Sequence, residues 1–536
     1  MPAQQASNQQ PLFDGDKGFI GFNSRDNPQT LEQGTLSLCQ NFRLNRGVAE
    51  SRKGLQRMTP GGDTNFAIYY STVAKDFLGN DVILWLTQTR LYIYNTLTNS
   101  RSYVNLPSFT IDSNEIIDSF QANGEVYFLR GESLTPFKWN GNTTISLVPA
   151  GVHTYDMPRG IQGLYLSNRA VVQKNRDEIA VSHYLDMTHF ESLDVFKIND
   201  GSNDEIVAIA PWVLNEFVIF MRNRIYYASF GAGAYASGDA PIPADSYVKV
   251  MATDIGCIAK NSVAQAAGGM LFLSDGGVYM MTPQAATTPE GMRMGVMGQP
   301  LSAPVDDIIQ RINRTYVSKA VGKYFNNRYY LAIPIDGATD NNIIIIYNFL
   351  NKQWESIDTF NTDMDIAFML TAVYGGRNRL FVVDRQQGLF LTEELTDGDH
   401  YDNSTTNNTL PEELPFILYD SLDPDAFTRY PIDSKIVTRS YNFGFSEDKR
   451  YSQVEIDLKA EASAQIETKA LMVNPDSETI LDTFGSASAS NSTRDLPIRK
   501  VGSSCLFQIK TYSNQSSVRS LFVTAIRTGN NIRSTK

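Results

Sequence analysis

Runs rich in Val, Ile, Leu, Tyr and Phe break at short turns bearing Asn, Gly or Arg and then resume. This pattern recurs seven times between Phe66 and Glu394, most clearly at 82–94, 217–227, 270–279 and 380–391. Each copy reads as a β-hairpin, because β-branched and aromatic residues suit a pleated surface and Asn and Gly suit tight turns. A hairpin cannot bury its apolar face alone, so hairpins repeated at roughly 40–50 residue spacing predict units packed against one another, as in a β-propeller. The four consecutive isoleucines Ile343, Ile344, Ile345 and Ile346 predict a strand covered on both faces, since a half-exposed strand alternates.

Outside the repeats the pattern changes. Residues 1–11 are polar, 36–44 alternate as a strand does, Asn45, Arg46 and Gly47 can turn the chain, and 48–54 can return it. That predicts an N-terminal arm and hairpin over 1–62, leading into a propeller over 63–395. A polar stretch at 396–408 reads as a linker. Beyond it, 435–443, 453–459, 464–473, 505–512 and 518–527 alternate polar and apolar, which predicts antiparallel sheets with one solvated face. The fold class is therefore all-β: a β-propeller-like repeat domain with an N-terminal hairpin segment and, over 396–536, a linker and C-terminal β-sandwich. Composition interrupts this scheme at 231–243 and at the Met-rich 282–300, both expected as loops, and at 483–494, expected as a flexible tip. One helix is expected over 302–312, with Ser302 as its cap, Pro304 in the first turn, and Asp306 and Asp307 near the positive end of the dipole.

Length and charge narrow the options. A chain of 536 residues exceeds one ordinary core, although a propeller absorbs roughly 330 residues in a single ring. With 29 Phe and 26 Tyr but 4 Trp, the aromatic content favours sheet. A formal charge of −12 disfavours reading of nucleic acid by a basic patch, yet suits a wall that DNA passes without sticking. Cys39, Cys257 and Cys505 are far apart and set in apolar runs, which reads as buried thiols and no disulfide framework. The opening residues have no basic flank or apolar core, and no run reaches the length of a membrane span, so no secretory signal and no membrane span are expected.

Chemistry is sparse. His153, His183, His189 and His400 are spread over different units or the linker, at no recognised metal spacing, and read as structural or surface residues. No nucleophile elbow, zinc-protease helix or phosphate-binding loop is present. The carboxylate neighbours Asp306 and Asp307, Glu393 and Glu394, and Glu412 and Glu413 read as solvated charges, and the Asp-bearing turns at 274–277 and 384–388 as turn chemistry. The stretch 336–342 offers oxygen ligands, but at no trusted calcium spacing. Trp85, Trp139, Trp212 and Trp354 lie in or beside predicted strands, where packing claims them. No enzyme activity, cofactor, catalytic residue or metal is expected.

The segment from Asn23 to Gly34, followed by Gln40 to Leu55, resembles the opening of bacteriophage tail proteins, with its Leu31 to Gly34 step, Asn41 to Arg43 strand and Arg52 to Gly54 return. The resemblance covers about thirty-five residues at the residue level and the architecture of most of the chain. Its best fit is the tail nozzle, or hub, of short-tailed phages, also called the tail tubular protein. The resemblance implies a structural virion protein in a sixfold homo-oligomeric ring below the portal and adaptor ring. It further implies assembly in the host cytoplasm, a channel for ejected double-stranded DNA, and a platform for needle, fibre or spike proteins. Arg25, Arg43, Arg46, Arg52 and Lys53 give this segment a positive bias within an acidic chain, and are expected to dock on a neighbouring subunit or the adaptor. Met292, Met294 and Met297 are a second candidate partner surface, because Met-rich loops adapt to what they touch. The alternatives are a propeller-based glycan-binding or glycan-degrading tail protein and a non-viral scaffold propeller.

Overall fold

A computed structural model describes residues 11–58, 67–149, 151–199, 201–212, 216–229, 246–266, 268–285, 292–296, 298–360, 364–386, 388–395, 399–401, 428–473, 476–485, 490–512 and 515–528. The turn residues behave as the hairpin reading requires. Asn123 and Gly124, Ser167 and Asn168, Asn326 and Asn327, and Gly375 and Gly376 all have positive φ. Such pairs at the centre of a two-residue turn match the twist of the strands they join.

Six of the seven repeats fold as antiparallel four-stranded blades in up-and-down order, at 70–105, 118–147, 162–197, 206–252, 264–296 and 321–359. The seventh, at 366–395, supplies three strands, and Gly54–Arg57 from the N-terminal segment adds the fourth, pairing Phe390 with Arg57 and Leu391 with Gln56. The first strand of this last blade, Ile366–Tyr374, lies beside the first strand of blade one, Tyr70–Lys75, so the ring closes. Among the described residues the ring is a β-propeller of seven blades.

Six of the seven blade-to-blade interfaces have their own apolar cluster, and that of blades five and six merges with the core under the C-terminal sheets. Trp85, Tyr92, Phe381 and Leu391 join blades seven and one, and Leu84, Leu91, Phe128 and Phe137 join one and two. Around the ring the pattern continues to blade six, where Ile344 and Ile346 face blade seven while Ile343 and Ile345 face the opposite way. The isoleucine run is therefore covered on both sides, and burying each such side chain is worth about 1.5–3 kcal/mol.

In the C-terminal third, one sheet runs Ser490–Gly502, Lys449–Ala460, Ser516–Arg527. It then takes in Val48–Ser51 and Phe42–Asn45 from the N-terminal hairpin, with Pro11–Asp16 also paired to Ser516–Arg527. A second sheet contains Leu38–Gln40, Ser434–Val437, Ser504–Tyr512, Gln465–Val473 and Ser477–Gly485, and continues from blade six where Ile357 pairs with Gln40. Val454, Ile456 and Leu458 of the first sheet and Ile466, Phe507 and Ile509 of the second share one core with Leu331 and Ile345 of the ring. The N-terminal hairpin itself is present, turning at Arg46 and Gly47, both with positive φ. It is not a separate segment ahead of the ring, because its strands find backbone partners both in the C-terminal sheets and in blades six and seven.

Several local expectations are corrected. The Met-rich stretch is partly sheet: Gly277–Ala285 and Met292–Val296 form the outer hairpin of blade five. The supposed tip at 483–494 belongs mostly to Ser477–Gly485 and Ser490–Gly502. The helix shrinks to a 3-10 turn, Ala303–Val305, and a short α-helix, Asp306–Gln310, and Ser302 does not cap it. The Ser302 hydroxyl instead accepts the Val278 amide (3.0 Å), a bond to blade five that outcompetes the cap. Within the linker, Asp399–Tyr401 pairs with Thr428–Tyr430, while most of 396–408, and the loop 231–243, lie outside the described residues.

Candidate functional site: an ionic clasp and a histidine stack

The N-terminal segment crosses between ring and C-terminal sheets through a chain of buried charges. At its centre Asn41, held at positive φ, interrupts the strand. Its amide donates to Thr359 Oγ1 (3.0 Å) and the Asp433 carbonyl (2.8 Å), and its oxygen accepts the Thr359 amide (2.9 Å) and Arg52 Nε (3.1 Å). Asn tolerates this backbone region better than other side chains, and its amide plane here satisfies both neighbours.

Around that hub, Arg43 forms a two-pronged pair with Asp358 (2.8 and 2.6 Å) and a bond to Glu393. Burial opposes its charge, but the carboxylates of Asp358 and Glu393 hold the guanidinium firmly protonated. Glu355, 0% exposed, accepts the Leu44 amide and pairs with Arg328, which also donates to Asn45 Oδ1 (2.7 Å). Arg52 pairs in the same two-pronged way with Asp399 (2.8 and 2.7 Å), at 2% and 1% side-chain exposure. Asp399 also accepts the amide of Leu55, in the strand that completes blade seven (2.8 Å). At the far end, Arg439 holds Asp14 (2.6 Å) and Asp16 (3.0 Å). The cavity enclosed by Arg43, Arg52, Asp358 and Glu393 is about 20 Å³, far below the few hundred Å³ of a small-molecule site.

The proposed basic partner surface is thus corrected in part. Arg43 and Arg52 face inward because Asp358, Glu393 and Asp399 give their charges buried partners. Arg25, Arg46 and Lys53 are exposed, Arg25 beside Asp26 (2.9 Å). Met292 and Met294 lie in the outermost strand of blade five, and Met297 lies outside the described residues. Trp85, Trp139 and Trp354 are buried and Trp212 is partly buried. Asp336 pairs with Arg311 and Asp340 with Lys319 (2.5 Å each), so the oxygen-rich stretch has cationic partners.

Sequence reading missed a second cluster. His183 follows the third strand of blade three, His189 precedes its fourth, and His153 lies in the connection from blade two. Backbone bonds from His183 to His189 (2.8 Å) and from Phe190 to Tyr155 (2.9 Å) draw the two segments together. The three imidazoles stack, His153 on His189 with centroids 4.3 Å apart and His183 on His189 at 3.8 Å, with planes within 10°. Two carboxylates face the stack: Glu191 lies 3.4 Å from His183 Nε2 and 3.5 Å from His189 Nε2, and Asp186 lies 3.5 Å from His153 Nε2. Burial works against the Asp186 charge. The Thr188 amide (3.0 Å) and hydroxyl (2.8 Å), with His153 and His189 alongside, nevertheless hold this carboxyl below its usual range. The six-residue spacing of His183 and His189 matches no helical or zinc-finger pattern, but it is what a tight loop between paired strands needs to bring its two ends together.

No protein-family model and no curated protein sequence matches the chain. Among solved structures it is similar to BBS1N in a crystal structure of its complex with ARL6DN, soaked with mercury. That match has 11% identity and a TM-score of 0.39, over 64% of this chain and 97% of that one. It is also similar to YCF48 from Cyanidioschyzon merolae, at 9% identity and a TM-score of 0.38, over 64% of this chain and 98% of that one.

Proposed function

We propose that the chain is a structural virion protein, the tail nozzle of a short-tailed phage. In this reading copies assemble into a ring, of six by the resemblance, below the portal and adaptor, leaving a channel for double-stranded DNA. The observation that carries the reading is the placement of Asn23 to Leu55, the stretch that resembles phage tail proteins. It is tied to blade six by the buried Arg43–Asp358 pair and to the short strand Asp399–Tyr401 by Arg52–Asp399, while its own strands pair with both C-terminal sheets, as suits a part that must transmit load without coming apart. The formal charge of −12 is multiplied in an oligomer and disfavours adhesion of passing DNA.

Docking falls to the exposed cations of this segment, Arg25, Arg46 and Lys53. Deleting residues 1–58 is not an informative test, because it removes strands from both C-terminal sheets and from blade seven. The informative experiment is electron microscopy and mass measurement of the purified full chain, which should give closed sixfold rings. A monodisperse monomer at micromolar concentration overturns the proposal. Joint reversal of Arg25, Arg46 and Lys53 to Glu should leave the monomer folded and abolish docking to neighbour or adaptor. Docking that survives the reversal removes these residues from the interface.

A further inference from the structure

We infer that the cleft between blades six and seven, on the face of the ring that carries their first hairpin turns, is a binding site for a neutral pyranose sugar. The recess has a volume of about 420 Å³ and is lined by Tyr324, Phe325, Asn326 and Asn378. Small-molecule sites typically measure about 300–1,000 Å³, a range the clasp cavity does not reach.

Two turns build the recess. Val321–Phe325 and Arg328–Ile333 of blade six join at Asn326 and Asn327, and Ile366–Tyr374 and Arg377–Asp384 of blade seven join at Gly375 and Gly376. All four turn residues have positive φ, and the tight turns bring one amide from each blade to the same cleft. Tyr324 is held by its hydroxyl, which donates to Asn327 Oδ1 (3.2 Å), and by a T-shaped contact with Phe349, 5.4 Å between centroids. Phe325 is anchored from behind by the apolar cluster between the two blades.

This lining selects the ligand. Two partly exposed aromatic rings offer the apolar surface on which the C–H face of a pyranose packs, and each amide offers two donors and an acceptor to its hydroxyls. Elsewhere in the ring Asn side chains cap their own turns: Asn95, Asn140 and Asn348 accept backbone amides at 3.0, 3.0 and 2.9 Å. Among the described residues Asn326 and Asn378 make no such bond, and both are exposed at the recess. No Asp, Glu, Lys, Arg or His among the described residues lines it, which disfavours phosphates, carboxylates and cations as ligands. A wholly apolar ligand would leave both amides unpaired. The lining also decides the fate of a bound sugar. Glycosidic cleavage uses two carboxyl groups flanking the bond, whereas Glu393 and Glu394 of blade seven are paired with Arg43 and Arg379. The site therefore holds a glycan without cutting it. Sugar binding here needs no assembly of copies, so its failure and that of the nozzle reading show in different measurements.

The test is saturation-transfer NMR and calorimetry on the purified full chain. Gluco-, manno- and galacto-configured hexose oligosaccharides serve as neutral probes, and oligogalacturonate and AMP as anionic ones. At least one neutral probe should bind with a Kd of about 0.1–1 mM, and added salt should leave that affinity unchanged because no charge is involved. Asn326→Gly, which keeps the left-handed turn, and Asn378→Ala should each weaken binding roughly tenfold. Asn142→Ala, in an exposed turn of blade two, should not. Both amides are exposed, so the variants should melt with the wild type, and melting curves verify this before binding is compared. Failure of every neutral probe to bind, a preference for the anionic probes, or wild-type affinity in both folded variants overturns the proposal. Release of reducing sugar from a bound probe overturns the assignment of binding without cleavage.

Discussion

Removing the Arg52 guanidinium is the most direct test of how the N-terminal segment holds ring and C-terminal sheets together. Arg52 lies between Val48–Ser51, paired with a C-terminal strand, and Gly54–Arg57, the closing strand of blade seven. In Arg52→Ala the carboxylate of Asp399, 1% exposed, loses two charge-assisted bonds of 2.8 and 2.7 Å and keeps the Leu55 amide. An uncompensated buried charge of this kind costs about 3–5 kcal/mol, against about 0–1 kcal/mol for an exposed pair. Arg52→Met combined with Asp399→Asn removes both charges while keeping an acceptor for Leu55, so it should recover most of the loss. Urea unfolding followed by tryptophan fluorescence and far-ultraviolet circular dichroism compares the wild type, Arg52→Ala and the double variant. A loss below about 1 kcal/mol in Arg52→Ala, or a double variant no more stable than the single, refutes the reasoning.

Two further outcomes are expected. Asp81 accepts the Val373 amide (3.0 Å) and pairs with Lys75 (2.6 Å), joining blade one to blade seven. Burial raises its pKa, but Lys75 and Val373 outweigh burial and leave it depressed. A depressed carboxyl contributes stability above its unfolded pKa of about 3.9, lost as pH falls through the folded value. Wild type should therefore melt higher than Asp81→Asn at pH 7, with the gap closing below pH ~4, and a gap constant with pH contradicts this. Burial pushes the Cys257 thiol up to about 12 and raises those of Cys39 and Cys505 as well. A thiol reagent at pH 8 should label none of the three in the native protein and all three in denaturant, and rapid native labelling contradicts the packing.

What sequence could and could not reveal divides along the range of the interactions. The seven repeats, the doubly covered isoleucine run and the turn at Asn45, Arg46 and Gly47 were legible because each depends on neighbours within one hairpin. The clasp was not. Arg43 and Arg52 look like surface cations until Asp358 and Asp399, more than three hundred residues away, are brought beside them. The Met-rich stretch looked like a loop because Gly and Pro dominate its composition, and its pairing across blade five is a matter of register. The histidine cluster left only a faint trace, the six-residue spacing of His183 and His189, and His153 joins it from another unit.

Local alternation and turn chemistry thus determined by themselves that this chain builds hairpins, how many, and that they need partners. Tertiary structure alone decided that the ring closes on an N-terminal strand, that the apparent basic surface is partly interior, and that three scattered imidazoles stack. The reason is physical: strand periodicity is written in successive residues, whereas the pairing of edges and the matching of buried charges depend on which distant segments the closed ring brings into contact.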